Sequence, residues 1–423
     1  MILSFLRVTS LNSISVFVKI AVMLWLNKIL AIAVGPSGYA AIGQFQNAIQ
    51  VITSLSNGVS PTGIIKYTAE NTESDEIHRL WKTAGTTTLL FSLIGSCIVY
   101  LNSEALSEYI FNSKELKSCF YWLAISLPFI AFNALFVAIL NGKKEFKSLV
   151  VANILGSVLS AISVPFLVYF YELEGALIGL AIYQGLALFS TIWICNKHQW
   201  FHFKFFFGYI ERKVFLKLLK YLGAGLITAL SAPIASIFIR DLLTQDLGSN
   251  VAGNWEAMLR LSNGYLMLIT TAASVYLLPR FSELQDREAL LRELFKSIFI
   301  TVVILLLLFP IVFNLKFFIV PLLLSSQFDK IYSFMGMYLL GDFFKVISFI
   351  VVYLFIAKEK LYIYIFTEIF FSLLYVILAS FLIQESGVDG VINAYVITYF
   401  LCSLFLFFMV YIRYVRVNKN EFA

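Results

Sequence analysis

Nine charged side chains stand inside apolar stretches of this 423-residue chain: Lys19 and Lys28, Arg240 with Asp241, Glu256 with Arg260, Asp342 with Lys345, and Glu368. A charge placed in hydrocarbon costs several kcal/mol, so each must face protein or water. Two chemistries suit such a set. Cations hold anions, with Arg gripping a phosphate through two parallel N–H donors and Lys acting as a point charge. Buried carboxylates exchange protons or hold small cations. Five of the nine are basic, which favours an anionic ligand. Lys28, Arg240, Asp241 and Glu368 lie within a few turns of a predicted span boundary, where a long stem can carry its charge to the interface. Lys19, Arg260, Asp342 and Lys345 lie deeper. Glu256 with Arg260 (i, i+4) and Asp342 with Lys345 (i, i+3) have the spacing of intrahelical pairs. Pairing alone does not explain why a pair should sit in a bilayer.

Polar uncharged residues share this pattern. Gln46, Gln50, Thr53 and Asn57 fall within about 60° of one another at 100° per residue. Glu256, Arg260, Asn263, Thr270 and Ser274 form a comparable stripe. An offset of 210 residues lays Gln46 on Glu256, Gln50 on Arg260 and Thr53 on Asn263, because Ala41-Ile42-Gly43-Gln44-Phe45 matches Val251-Ala252-Gly253-Asn254-Trp255. One helix face is thus polar twice, as the wall of a water-filled, net positive cleft would be. Nothing resembles a catalytic or metal centre. Cys97, Cys119, Cys195 and Cys402 are scattered without CxxC spacing and read as small apolar residues, and His78, His198 and His202 lie in polar loops. No catalytic residue, cofactor or metal is expected.

The elements that must position these groups are membrane helices. The chain is 60% hydrophobic and 13% charged, against about 45–50% and about 25% in soluble domains. A soluble enzyme, a nucleic-acid binder and a receptor with an ectodomain are excluded. Apolar runs predict twelve transmembrane helices at 10–34, 40–65, 83–101, 118–140, 148–171, 175–195, 218–241, 252–279, 295–319, 331–356, 362–383 and 391–412. The first run exceeds 20 residues, carries Lys19 and Lys28 and lacks a small-x-small site, so it reads as a span and not a cleavable leader. With the amino terminus inside, the inner segments hold 22 of the 31 Lys and Arg residues, from Arg7 through Arg416 and Lys419, and the outer loops only Lys114, Lys117 and Lys330. That bias places both termini in the cytoplasm. The net charge of +6 is explained by topology and requires no nucleic acid.

The chain also repeats. Besides the match at 210, Gly175-Ala176-Leu177-Ile178 answers Gly390-Val391-Ile392-Asn393 at an offset of 215, with Glu174 and Asp389 preceding. The fold predicted is all-α: two six-helix bundles related by a pseudo-twofold along the membrane normal, at 1–196 and 218–423, joined by a cytoplasmic linker at 197–217. Pro128, Pro165, Pro233 and Pro310 fall inside predicted helices, where each removes a backbone bond and permits a bend.

Several strings make the text similar to a known family. Val18-Lys19-Ile20 and Lys28-Ile29-Leu30-Ala31, followed by Gly35-Pro36-Ser37-Gly38, resemble the opening of the Wzx-type lipid-linked oligosaccharide flippases. Lys66-Tyr67-Thr68-Ala69, Gly253-Asn254-Trp255, Val275-Tyr276-Leu277-Leu278-Pro279 and Gly341-Asp342-Phe343-Phe344-Lys345-Val346 follow in order along the whole chain. They look like the O-antigen and enterobacterial common antigen branch of the multidrug/oligosaccharidyl-lipid/polysaccharide exporter (MOP) superfamily. The resemblance implies a bacterial inner-membrane protein with a MATE-like arrangement of 12 helices in two lobes. It implies translocation of an undecaprenyl-diphosphate-linked oligosaccharide from the cytoplasmic to the periplasmic leaflet by alternating access, driven by a proton or sodium ion gradient. The polysaccharide polymerase and chain-length regulator are implied as partners. By the same resemblance Lys19, Lys28, Arg240, Asp342 and Lys345 carry over as cleft or coupling positions, while Glu256 stands where an uncharged amide is expected.

On this reading Lys28, Arg240 and Arg260 pair with the diphosphate, Lys19 and Lys345 belong to the same substrate-binding cleft, and Gln46, Gln50, Asn57 and Asn263 bond sugar hydroxyls. Asp342 and Glu256 couple the ion. A cation-coupled multidrug or metabolite antiporter of the same superfamily is the alternative, but it would want a carboxylate-dominated cavity. A membrane-embedded polysaccharide-modifying enzyme would need a sizeable catalytic loop, and the longest outer stretch, 102–117, has no His and only Glu104, Glu108 and Glu115 as acids.

Overall fold

The computed structural model describes residues 2–70 and 73–416, with backbone alone at 2–14, 74, 224, 268, 272, 274, 275 and 416. Lys419 and the side chains of Arg7, Ser274 and Arg416 therefore lie outside the described residues. The described chain is helical, without strands: α1 (Ile2–Ser56), α2 (Pro61–Glu70), α3 (Ser74–Leu101), α4 (Ser103–Phe111), α5 (Ser118–Gly142), α6 (Phe146–Cys195) and α7 (Arg212–Leu247), then α8 (Ser249–Glu283), α9 (Arg287–Asn314), α10 (Lys316–Leu323), α11 (Ile331–Ala357), α12 (Leu361–Ser386) and α13 (Val388–Val410). Helices dominate because a bilayer offers backbone N–H and C=O groups no water to bond.

Among the described residues, ten helices are long and apolar enough to cross a membrane. Two of them are too long for one crossing. Ser15–Ser56 has 42 residues and Phe146–Cys195 has 50, or about 63 and 75 Å at 1.5 Å per residue, against a core of about 30 Å. Both are interrupted, α1 at Gly35 (φ 62°, ψ −174°) and α6 at Glu172 (φ 47°, ψ −121°). These breaks fall between the predicted spans 10–34 and 40–65, and between 148–171 and 175–195. None of the four prolines produces a non-helical residue; the helices run through Pro128, Pro165, Pro233 and Pro310. His78, assigned to a loop from sequence, lies within α3 and stacks on Phe205.

The repeat is written in the backbone. Gly35 recurs as Gly248 (φ 87°), 213 residues on; Lys144 (φ 60°) recurs as Glu359 (φ 57°) and Glu172 as Gly387 (φ 59°), each 215 on. The ends of α5 and α11 close identically, with Lys144 N–H donating to Asn141 and Glu145 to Leu140, then Glu359 to Ile356 and Lys360 to Phe355. Gly175 and Gly390 each pack so tightly on a carbonyl, Leu167 and Leu382 respectively, that a Cβ would collide with it. The 210-residue register of the sequence match is three residues short of the 213 landmark, so Glu256 falls opposite Gly43 and Arg260 opposite Asn47. Three residues is just under one turn, which moves the polar face by about 60°.

By contacts the chain divides into Met1–Ile234 and Ala235–Ala423. In the first unit α5 is the central post, with 61% of its apolar window buried. Trp81, Phe132, Phe136 and Ile139 pack there with Phe201 and Phe206, so the stretch between α6 and α7 is folded into that unit's core. In the second unit α11 holds the equivalent place, again 61% buried, among Phe281, Leu294, Val351, Phe355 and Leu406. Lipid is as apolar as these side chains, so close packing and polar contacts define the cores. Phe17, Ile162, Leu307 and Phe381 are among many large apolar residues left exposed, which suits a surface solvated by acyl chains.

Candidate functional site

Within the second unit, helix α8 carries the site on two opposite faces. Glu256 and Arg260 are one turn apart, as are Ser262 and Tyr265, and the second pair is turned roughly half a revolution from the first. On the first face Arg260 Nε donates to Glu256 Oε1 at 2.7 Å, and Arg240 of α7 donates to the other carboxylate oxygen through Nε at 3.2 Å and through its terminal nitrogen. Arg240 and Glu256 are 2% and 5% exposed at their side chains, Arg260 11%. The guanidinium of Arg240 also lies 5.6 Å from the centroid of Trp255. The sequence left Arg240 with only its neighbour Asp241; the fold gives it Glu256, while Asp241 accepts from Gln245. Burial of a carboxylate this deep requires such partners, because either charge alone would forfeit its hydration.

The second face meets α11. Asp342, fully buried, accepts from three hydroxyls: Ser262 at 2.8–2.9 Å, Tyr395 of α13 at 2.7 Å, and Tyr265. Gly341 makes this possible, since a Cβ there would strike the Tyr395 ring. Lys345, one turn along α11, points its ammonium over Tyr395 at 5.7 Å and Tyr399 at 5.4 Å. Tyr338 stacks on Tyr395 at 4.6 Å, and Glu368 of α12 is the second carboxylate in the field of Lys345. The arrangement holds a carboxylate among hydroxyl donors next to an ammonium, chemistry suited to exchanging a proton or a small cation.

The structure thus brings together Arg240, Glu256 and Arg260, and separately Asp342 and Lys345. Asn263 is exposed on α8 beside them. The other candidates belong to the first unit: Lys19 and Gln50 are exposed, and Lys28, Gln46 and Asn57 are half-buried. Asn57 helps line a cavity of about 10 Å³ with Pro61, Ile64 and Leu135, room for about one water. The predicted positive excess does not arise among the interior groups of the second unit, where Arg240, Arg260 and Lys345 meet Glu256, Asp342 and Glu368. The first unit's chain has no acidic residue before Glu70. Sequence reasoning passed over Ser262, Tyr265, Tyr338, Tyr395 and Tyr399. The available signal was hydroxyls at turn spacing (Tyr338 to Asp342, Tyr395 to Tyr399) in spans that also hold charges.

Among known proteins the chain is similar to the lipid III flippase of Escherichia coli (strain K12), 27% identical over 93% of this chain and 96% of that protein. A candidate O-antigen transporter of Shigella flexneri is 24% identical over 66% of each. Among solved structures, an inward-facing MATE multidrug transporter of the MOP superfamily superposes with a TM-score of 0.76 (17% identity, 92% of this chain and 94% of that one). The lipid II flippase MurJ in an inward closed conformation gives 0.73 (18% identity, 96% and 87%). At those identities the superpositions show the fold, a MATE- and MurJ-like membrane transporter fold. A family described as polysaccharide biosynthesis protein matches residues 8–333, well over half of the sequence, and the chain belongs to that family.

Proposed function

We propose that the protein is a flippase that carries an undecaprenyl-diphosphate-linked oligosaccharide, an O-antigen repeat unit, from the cytoplasmic to the periplasmic leaflet of the bacterial inner membrane. The observation that carries this reading is the end-to-end likeness to a lipid III flippase, supported by the buried Arg240, Glu256 and Asp342 of the second unit. Sugars and a diphosphate cannot enter hydrocarbon, whereas the polyprenyl tail need not leave it. Lys28, Arg240 and Arg260 take the diphosphate during alternating access, with Lys19 and Lys345 in the same substrate-binding cleft; Gln46, Gln50, Asn57 and Asn263 take sugar hydroxyls. Asp342 and Glu256 couple the step to a proton or sodium gradient. Arg260 is the least buried member of its triad and can exchange Glu256 for a phosphate oxygen. Protonation of Glu256 would release Arg240 and Arg260 together, which links ion entry to substrate grip. The polymerase and chain-length regulator receive the unit on the far side.

The test is complementation of a strain lacking its own flippase and supplied with the matching glycosyltransferases. The wild-type chain should restore surface polysaccharide and drain the accumulated lipid-linked precursor. Asp342→Asn and Arg260→Gln, inserted at normal levels, should each lower it tenfold or more. No restoration of surface polysaccharide, together with cation-dye efflux from the same cells, would instead identify an antiporter.

A further inference from the structure

A second concentration of basic and aromatic groups lies in the first unit, where the last turns of α2 meet the first turns of α7. Lys66 Nζ donates to the Tyr221 hydroxyl at 2.7 Å and stands 5.3 Å from that ring's centroid and 5.8 Å from Tyr67's. Lys217 Nζ lies 5.9 Å from the Tyr67 ring. The two tyrosines meet edge to face at 5.6 Å. The helices approach at small residues: a Cβ on Gly63 would sit 3.2 Å from Tyr221 Cβ, and one on Gly225 3.4 Å from Ser60 Oγ. Longer side chains therefore fan out past the contact. Helical spacing puts Lys213 and Lys220 on the face of α7 that carries Lys217.

Among the described residues one carboxylate pairs with these cations, Glu70, 3.7 Å from Lys66 with both side chains about half exposed, a pair that contributes little. The repeat shows what neutralisation would look like. Arg280 of α8, within one residue of the position corresponding to Lys66, has both Glu283 and Glu293 at 3.8 Å. The first half keeps the cation and one acid, with Glu70 standing where the second half has Glu283, adds Lys217, and has no acid at 78–80, the place that corresponds to Glu293. Tyr221, then Glu70, hold the Lys66 ammonium above the ordinary lysine range, so it is charged throughout the physiological pH range.

We propose that Lys66, Lys217, Tyr67 and Tyr221 form a docking subsite for a diphosphate-linked sugar, the two ammonium groups on the diphosphate and the tyrosine rings under the first sugar. A phosphate oxygen would replace Tyr221 as the acceptor for Lys66, freeing the Tyr221 hydroxyl to donate to the same phosphate. The subsite rests on the flippase reading, in which this basic end of the helices faces the leaflet that supplies the substrate.

Native mass spectrometry of the full-length protein in detergent can count bound undecaprenyl diphosphate, with and without a first sugar, against undecaprenyl monophosphate and phosphatidylglycerol. The Lys66→Gln/Lys217→Gln variant should lose undecaprenyl diphosphate by about tenfold, as removal of charge-assisted contacts implies, while Lys147→Gln, at an exposed position in the first turn of α6, keeps it. Tyr67→Leu should weaken the sugar-bearing lipid more than the bare diphosphate. Lys217→Gln alone, at an exposed position, gives a folded reading if the double variant does not. Unchanged affinity in the lysine variants, at unchanged unfolding temperature, overturns the subsite. Equal competition by phosphatidylglycerol overturns it too, as a general lipid contact. Failure of the wild type to bind undecaprenyl diphosphate overturns the flippase reading as well.

Discussion

Arg240 shows how one buried side chain fixes the electrostatics around it. Its guanidinium places two donors on one oxygen of Glu256 and leaves Arg260 the other, so removal of Glu256 strands two cations and removal of Arg240 leaves a buried carboxylate oxygen without those donors. Arg240→Met leaves Glu256 with a single half-open partner and should cost about 3–5 kcal/mol, the range for breaking a buried pair. Arg260→Gln, at the more open position, should cost less. Arg240→Met with Glu256→Gln takes the carboxylate from Arg260 as well and should recover only part of the first loss. Thermal unfolding of the four proteins in detergent measures all three terms. An Arg240→Met variant as stable as the wild type would show that the triad contributes nothing to the fold.

At the scale of elements, the paired breaks make comparisons available inside one chain. Gly175 and Gly390 touch carbonyls 215 residues apart in the same way, so Gly175→Ala and Gly390→Ala should each reduce the yield of monodisperse protein several-fold in fluorescence-detected gel filtration. Gly223, with nothing within 4 Å of an added Cβ, should accept alanine without loss. Glu172 holds a left-handed backbone where the second half uses Gly387. A non-glycine residue there costs on the order of 1 kcal/mol or more, so Glu172→Gly should raise the unfolding temperature slightly. A fall would mean that the Glu172 side chain makes contacts worth more than the strain.

For the whole molecule, the bias of 22 basic residues against three predicts the sidedness of every loop. Single cysteines replacing Lys144 and Lys360 should be modified by membrane-impermeant maleimide only in inside-out vesicles, and one at Lys114 only in intact spheroplasts. The Cys97 background, exposed on α3, is removed first by substitution with serine. Labelling from the opposite side at all three would invert the topology and with it the leaflet from which substrate is taken.

Sequence alone determined the class and the rough positions of the apolar helices, because apolar length is a property of consecutive residues; it missed helix ends inside predicted spans 40–65 and 295–319, where the helices stop at Ser56 and Asn314. It also marked Glu256–Arg260 and Asp342–Lys345, whose spacing brings them near each other on any helix. The partner that Arg240 chooses, the hydroxyls that surround Asp342 and the meeting of Lys66 with Tyr221 join residues 16 to 155 positions apart. Those contacts depend on which helix faces pack together and at what depth. Packing between helices in lipid is settled by shape and by polar satisfaction, which no local pattern encodes; only the tertiary structure could decide them.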